Sequence, residues 1–548
     1  MREHLYIIRR PTPNPSRQGG AWAARRKLHI AILLLLLFLC YPIYGQTSLR
    51  SCPSITGGVG GGSFPKREIR AVWLTTLYGL DWPKTKATNA ASRERQKAEL
   101  CAILDQLKAI NINTIMLQTR IRGSVIYPSN IEPWDQSLTG SYGRDPGYDP
   151  LAFAIEEAHR RGMELHAWVV TIPCFKVDVA KRMGAKSVLQ THKSLCLRHG
   201  DTWYMNPGQP GTATYLSAIC TEIVRRYDID GIHFDYIRYP EQAASFPDAA
   251  TFKLYGAGKS KATWRRDNIT AIVRRLYSDI KALKPWVKVS SSPVGKYANL
   301  TRFSSKGWNA RDAVHQDAQG WLRQGIHDIL FPMMYFRGND FFPFAADWQQ
   351  QNAGRQVAPG LGIYFLHPQE KNWPLSDITS ALHFTRLTQM AGQCYFRSKF
   401  LTDNVKGLYD YLHDIFYLYP ALPPACTWII QTSPCKPSSV RISDTPDGLK
   451  ELTWEVDETS TGGLRYNIYA SNRFPVDTEC ADNLVSPLLQ EARFRFDPAL
   501  VARNGLYFAV TSIDRAGNES EPTQIDFYPK PSKLWKLNFV RISSASQR

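Results

Sequence analysis

The chain runs to 548 residues, 43% hydrophobic and 12% aromatic, which excludes a disordered polypeptide and fits one large domain with a smaller companion. Beyond residue 45 there remain 60 Lys and Arg against 47 Asp and Glu, part of an overall charge of +19. That balance favours anionic partners such as acidic polysaccharide, cell-wall polymer or a membrane surface; with no zinc-finger spacing, helix-turn-helix signal or dense Lys/Arg run, nucleic acid is not expected.

Residues 1–45 read as a secretory signal peptide. Arg25, Arg26 and Lys27 precede an apolar run from Leu28 to Cys40, and small Gly45 offers a cleavage point before Gln46. The run is short for a retained membrane span. Export to the periplasm, the envelope or the exterior is expected, with peripheral envelope association. A lipid anchor is not favoured: "LFLC" puts a bulky residue where a lipobox wants a small one, and Cys52 in "LRSC" sits too far from the run. An odd number of cysteines then remains, among which Cys174 with Cys196, and Cys426 with Cys435, are near enough in sequence to bridge.

A Gly-rich linker, 46–65, leads into alternating strand-like and amphipathic segments over 66–424. Strands are expected at 69–76, 113–119, 163–170, 231–235, 287–293, 328–336, 357–364 and 392–397. Helices are expected at 92–110, 149–161, 210–227, 264–284, 310–324, 375–390 and 403–414, with 343–352 showing the poorest helical pattern. Continuous apolar strands alternating with helices predict a parallel sheet covered on both faces, and eight such units predict an α/β fold of the (β/α)8 TIM-barrel type. No GxGxxG follows an early strand, so a dinucleotide-binding sheet is the poorer reading. After a linker at 425–436 the pattern changes to short alternating strands over 437–530, before a tail at 531–548. The Trp454 strand, the Tyr466–Tyr469 strand and the strand ending in "DRAGNES" resemble a fibronectin type III module, an all-β sandwich that is usually a spacer or docking unit.

In a barrel, functional groups gather where the strands end. The first strand leads to Asp81 and Trp82. The second ends in Gln118 and Arg120, followed by Tyr127 and Trp134. The third carries His166 and Trp168, and the fourth His233 and Asp235, with Arg238, Tyr239 and Glu241 just beyond. The fifth offers no carboxylate. The sixth leads to Tyr335, Arg337 and Asp340, the seventh to Tyr364 and His367, and the eighth to Arg397.

Asp235 closes the apolar stretch "DIDGIHFD", where a charged carboxylate is costly unless paired or used. At a mouth ringed by aromatics it can attack an anomeric carbon or stabilise an oxocarbenium ion. Alternatively it is a structural acid bridged to Arg120 or Arg238. A glycosidase needs a second carboxylate, about 5–5.5 Å away if retaining and farther if inverting, and Glu241, Asp340 and Asp81 are all open for it. His233, on the same face as Asp235, either orients it or binds a hydroxyl, or is a satisfied core histidine. Arg120 either clamps an acidic substituent or neutralises Asp235. Trp82, Trp134 and Trp168 are candidate sugar platforms, with Gln118, Tyr127, His166, Arg238, Tyr239 and Tyr335 completing the expected substrate-binding set. The spacing of His166 and His233 is not that of metal ligands, so neither metal nor cofactor is expected. Without a GxSxG elbow, a serine hydrolase is not expected either.

The blocks "KREIRAVWLTTLYGLDWP", "LQTRIRGSVIYPS", "DPGYDPLAFAIEEAHRRGMELHAW", "DIDGIHFDYIRYP" and "WRRDNITAIVRRLY" together resemble the bacterial glycosyl hydrolase-like, family-10-like group of envelope proteins. The resemblance spans about Arg67 to Pro424. It implies a glycosidase-like barrel, and among its members is a divisome-localised hydrolase of peptidoglycan strands stripped of peptide. Many members read "HFDDYFYP" where this chain has "HFDYIRYP", so Tyr236 replaces a second Asp; many also carry an Asp where Ser124 stands. The reading is an exported glycoside hydrolase acting on an acidic or cell-wall polysaccharide. Its alternatives are a catalytically weak glycan-binding barrel and an adhesion or assembly protein.

Overall fold

The structure, a computed structural model, describes residues 64–456, 463–497 and 507–526. The expected signal peptide, nearly all of the Gly-rich linker and the C-terminal tail lie outside the described residues.

In chain order the strands of the first domain are β1 (Ile69–Leu74), β2 (Thr114–Arg120), β3 (Glu164–Val170), β4 (Pro173–Lys176), β5 (Cys196–His199), β6 (Thr202–Met205), β7 (Gly231–Asp235), β8 (Lys288–Ser291), β9 (Ile329–Leu330), β10 (Gln356–Val357), β11 (Gly360–Leu361) and β12 (Gly392–Phe396). Nine of them form one parallel sheet, in the order β10-β9-β8-β7-β3-β2-β1-β12-β11. The two ends of that order are halves of one segment, interrupted at Ala358 and Pro359, where proline has no N–H to contribute to a ladder. β10 pairs with β9, β11 pairs with β12, and Cys394 N–H donates to Pro359 O (3.0 Å) across the gap. The parallel sheet therefore curls until its ends meet in a single segment. β4, β6 and β5 form a small antiparallel sheet inserted after β3, on the side where the parallel strands end.

The helices between the parallel strands or beside them include α1 (Ala90–Ala109), α2 (Pro150–Arg160), α3 (Pro210–Arg226), α4 (Lys261–Leu283), α5 (Ala318–Arg323), α6 (Phe342–Gln350) and α7 (Leu375–Leu387). Local sequence sets their starts. Asn89 and Ser92 form a capping box on α1, and Asp149 accepts from the N–H groups of Leu151 (3.1 Å) and Ala152 (3.0 Å) ahead of Pro150 in α2. On α4, Ile269, Ile272, Val273, Leu276 and Ile280 form the buried stripe. The 343–352 segment does form a helix, α6, with Pro343 in its first turn where the missing N–H costs nothing. The expected 310–324 helix is instead two short pieces, divided where His315 takes a left-handed φ of 57°.

The C-terminal part consists of two antiparallel sheets. β13 (Ser438–Asp444), β14 (Lys450–Glu455) and β17 (Arg493–Phe496) form one; β15 (Arg465–Ser471), β16 (Leu484–Leu489), β18 (Tyr507–Ile513) and β19 (Thr523–Asp526) form the other. Leu452, Trp454 and Phe496 from the first pack against Tyr466, Ile468, Phe508 and Val510 from the second. Within the 425–436 stretch, expected as a linker, Cys426 is buried and Trp428 Nε1 donates to Asp328 (2.8 Å). Cys174, Cys196, Cys426 and Cys435 are free thiols, so neither sequence-near pair is bridged.

The module reaches the first domain through Asp230, the residue just before β7. Its carboxylate meets Arg465 (2.6 Å) and Arg515 (3.0 Å) from the module, His159 Nε2 (2.7 Å) from α2 and the N–H of Leu165 (2.8 Å). Arg515 also reaches Asp228 (2.7 Å). Burial alone pushes Asp230 up, but Arg465, His159 and Arg515 outweigh it and hold the carboxyl well below the usual carboxylate range.

Candidate active site

β7 starts with Gly231 because the His166 ring occupies the space a Cβ would need, 2.5 Å from its Nδ1. Alternation then turns Ile232 and Phe234 outward into the core under the helices, and His233 and Asp235 inward. The backbone carbonyl of Asp235 is held by Thr171 N–H and Oγ1 (both 2.9 Å), which fixes where the side chain emerges. Its Oδ1 accepts from Tyr236 N–H (2.8 Å) and Ser292 Oγ (3.0 Å), and its Oδ2 from Trp168 Nε1 (3.2 Å). Asp235 is 6% exposed, and burial pushes its carboxyl up. Arg238 and these hydrogen bonds pull the other way without cancelling the rise.

Arg238 links this buried acid to the rim. It is 4% exposed and lies 4.7 Å from the Tyr236 ring centre and 5.8 Å from that of Trp308. Its Nη1 donates to Tyr239 O (3.3 Å), its Nη2 stands 3.7 Å from Glu241, and its Nε has no partner. Glu241, 68% exposed, is thus the outer member of an Asp235, Arg238, Glu241 series of alternating charge.

Other expected residues fall elsewhere. Asp340 is gripped by Lys296 (2.6 Å) and Lys306 (2.8 Å), whose hydrogen bonds hold its carboxyl below the usual range. Asp81 pairs with Arg397 and accepts from Thr75 N–H (2.8 Å). Arg120 does not face Asp235: it makes a buried two-pronged pair with Glu132 (2.7 and 2.8 Å) and donates to the Thr171 carbonyl (2.8 Å). His233 is a satisfied core histidine. Trp73 Nε1 donates to its Nε2 (3.1 Å), so the proton sits on Nδ1, facing Ser290 Oγ (3.0 Å), and burial first, with neighbouring histidines, pushes its pKa well down. His166 lies deeper, 3.2 Å from Glu164, itself paired with Lys288 (2.6 Å) and held at about 2 against the opposing effect of burial.

Trp82, Tyr127 and Tyr239 are fully buried and offer no ring face to a ligand; Trp82 Nε1 donates to Gln96 O (2.8 Å) and the Tyr127 hydroxyl to Glu222 (3.0 Å). The Oε1 of Gln118 is occupied by the N–H groups of Thr76 (3.1 Å) and Leu77 (2.8 Å). Trp134 is half-buried against the core, and Trp168 touches Asp235 through its N–H. Tyr335 stacks on Phe396 (5.6 Å); burial, then the Tyr364 and Asp235 charges, push its phenol up, which places it within reach of the acid's field.

Three residues at this site lay outside the catalytic and substrate-binding sets expected from sequence. Ser292 supplies a donor from a strand that offered no carboxylate. Tyr236, half-buried with a left-handed φ of 53°, stands beside Asp235. Arg122, also at φ 53°, is half-buried and has no hydrogen bond or ion pair among the described residues, yet its charge lowers the phenols of Tyr236 and Tyr204 against the larger effect of burial. Ser124 donates to Asp135 (2.6 Å), so a carboxylate stands beside that position although the chain carries serine there. Among the described residues no three His, Cys, Asp or Glu side chains come together as a metal cage.

The family model described as Glycosyl hydrolase-like 10 matches residues 68–365, which hold β1 to β11 and Asp235. The chain is 30% identical over 480 residues to glycosyl hydrolase YngK of Bacillus subtilis (strain 168), covering 84% of this chain and 93% of that protein. It is 32% identical over 336 residues to glycosyl hydrolase DigH of Escherichia coli O6:H1, covering 57% of this chain and 76% of that protein. Among solved structures, the PgaB (BpsB) glycoside hydrolase domain from Bordetella bronchiseptica aligns with 64% of this chain and 98% of its own, at 14% identity and a TM-score of 0.44. The chain belongs to the glycosyl hydrolase-like 10 family.

Proposed function

We propose that the protein is an exported glycoside hydrolase of the cell envelope, cleaving an acidic polysaccharide such as peptidoglycan strands at the site around Asp235. The observation that carries this reading is Asp235 itself: an inward carboxylate at the end of a barrel strand, oriented by three donors and pushed up by burial. A raised carboxyl retains a proton to higher pH than a free one and can deliver it to the glycosidic oxygen as the bond to the anomeric carbon breaks. Glu241, exposed at the rim beside Arg238, then serves the sugar carbon, directly or through water. This reverses the roles suggested by sequence, because Asp235 is the buried member and Glu241 the exposed one. Asp340, neutralised by two lysines, is left out of the chemistry.

Arg122 and the unpartnered Nε of Arg238 give the mouth positive charge suited to an acidic substituent, in keeping with the basic balance of the chain. The C-terminal part, three antiparallel strands facing four, supports a fibronectin type III-like sandwich that acts as a support. One observation favours a second reading, a glycan-binding barrel without turnover: Tyr236 stands where many relatives carry a second acid.

The test is release of soluble fragments by the protein and by Asp235→Asn from intact and peptide-free peptidoglycan, polygalacturonate and hyaluronate. Release by the first alone is expected. Equal release by both removes Asp235 from the chemistry, and binding without release leaves the second reading.

A further inference from the structure

The turn after β1 holds an aromatic residue in a conformation that packing does not explain. Tyr78 has φ 55° and ψ 12°, the left-handed region that a bulky L-residue rarely adopts, and it is 58% exposed. A buried tyrosine can offset such strain by packing; an exposed one cannot, and glycine or asparagine would sit there at less cost. The turn that imposes it is heavily braced. Gln118 Oε1 takes the N–H groups of Thr76 (3.1 Å) and Leu77 (2.8 Å), and Gly79 N–H donates to Thr76 O (2.8 Å). Lys84 Nζ spans the carbonyls of Gly79 (2.9 Å) and Leu80 (2.8 Å), and Arg397 donates to Leu80 O (2.9 Å). The brace holds the backbone on both sides of Tyr78 and leaves its ring exposed.

The turn lies on the face where the parallel strands end, and two other loops on that face join it. Tyr142, in the loop after β2, is half-buried and near enough for its phenol to feel Tyr78. Arg182, in the insertion after β3, is exposed, with its guanidinium 5.9 Å from the Tyr142 ring centre. We infer that Tyr78, carried on a braced turn, is a stacking platform for a sugar unit of a long glycan on the face where the parallel strands end, with Tyr142 and, beyond it, Arg182 in the neighbouring loops. The apolar face of a pyranose covers an aromatic ring well, and a braced backbone leaves only the side-chain torsions to be ordered on binding. The inference rests on the hydrolase reading. It adds that the protein grips polymer beyond the unit being cleaved, and that the strain at Tyr78 is retained for the sake of its ring.

The experiment uses the full chain with Asp235→Asn, so that glycan is bound and not consumed, and compares peptide-free peptidoglycan strands, polygalacturonate and hyaluronate with disaccharides cut from each. Tyr78→Gly is expected to weaken binding of the retained polymer about three- to tenfold and leave the disaccharide unchanged. The same substitution is expected to raise Tm by about 1–3 °C, because glycine adopts this φ freely. Tyr78→Trp is expected to keep polymer affinity. If the Tyr78→Gly protein holds polymer as well as its parent, the platform is wrong while the hydrolase reading stands. If the parent binds none of the polymers, both fall together. A drop in Tm with Tyr78→Gly would show that the ring serves the fold, and would overturn the inference too.

Discussion

Asp230 and Asp235 stand at opposite ends of β7, both buried, and their surroundings drive their carboxyls in opposite directions. At the base, two arginines of the module and His159 surround Asp230 and hold it ionised. At the mouth, Asp235 has neutral donors on its oxygens, and burial dominates. The same residue type, five positions apart in one motif, is held ionised by counter-charges at one end and pushed up by burial at the other. A carboxylate surrounded by full counter-charges is a clasp; one left short of them is available to exchange a proton.

The contrast breaks first at Asp235. Asp235→Asn keeps the shape and is expected to reduce glycan release roughly 10²–10⁴-fold. The variant should also be more stable than the parent at neutral pH, by about 1 kcal/mol, as sites strained for activity often are. The sign follows from the raised carboxyl. The stability of its protonated form is fully present below the unfolded value of about 3.9 and is lost as pH rises through the higher folded value. Denaturant unfolding at pH 3 and pH 7.5 checks this; a loss of stability at pH 7.5 would place Asp235 among the clasps.

Asp230→Asn should behave in the opposite way. Removing the charge strands two buried guanidiniums and is expected to cost about 3–5 kcal/mol, with release per folded molecule unchanged. Because its carboxyl is depressed, the contribution is present above about pH 3.9 and fades as pH falls through the lower folded value. Unaltered unfolding would refute the clasp. A smaller change comes from Arg238→Gln, which removes the charge that pulls Asp235 down. The carboxyl should rise further, the alkaline limb of the pH–activity profile should move to higher pH, and KM for an acidic glycan should rise about tenfold. The smallest effect is expected from His159→Gln, about 1 kcal/mol, since both arginines still hold Asp230.

The barrel was legible because its strands are buried on both faces, so each appears as a largely apolar run between helical stretches. Its split seventh strand was not, since the break lies at a single proline whose consequence depends on neighbours far away in sequence. Asp235 and Glu241 were legible as residues, but that one is buried and the other exposed was not, because depth does not follow from residue type. For the same reason Trp82, Tyr127 and Tyr239, attractive as platforms, proved to be core. Arg120 found its counter-charge in Glu132, twelve residues on, a pairing that only the return of the loop after β2 makes visible. Asp230 was in plain view in "DIDGIHFD"; its meaning came from Arg465 and Arg515, more than two hundred residues away.

That distance has a consequence for the order of events. Chains usually fold their N-terminal parts first as they are made. Here the base of β7 is completed by Arg465 and Arg515, contributed near the end of the chain. Until they arrive, Asp230 has only His159 and backbone donors, and the barrel is left with an acid it cannot bury cheaply. The large domain thus reaches its full stability last, when the small one closes over its base, and a chain interrupted before residue 465 would carry every strand of the barrel without the means to finish it.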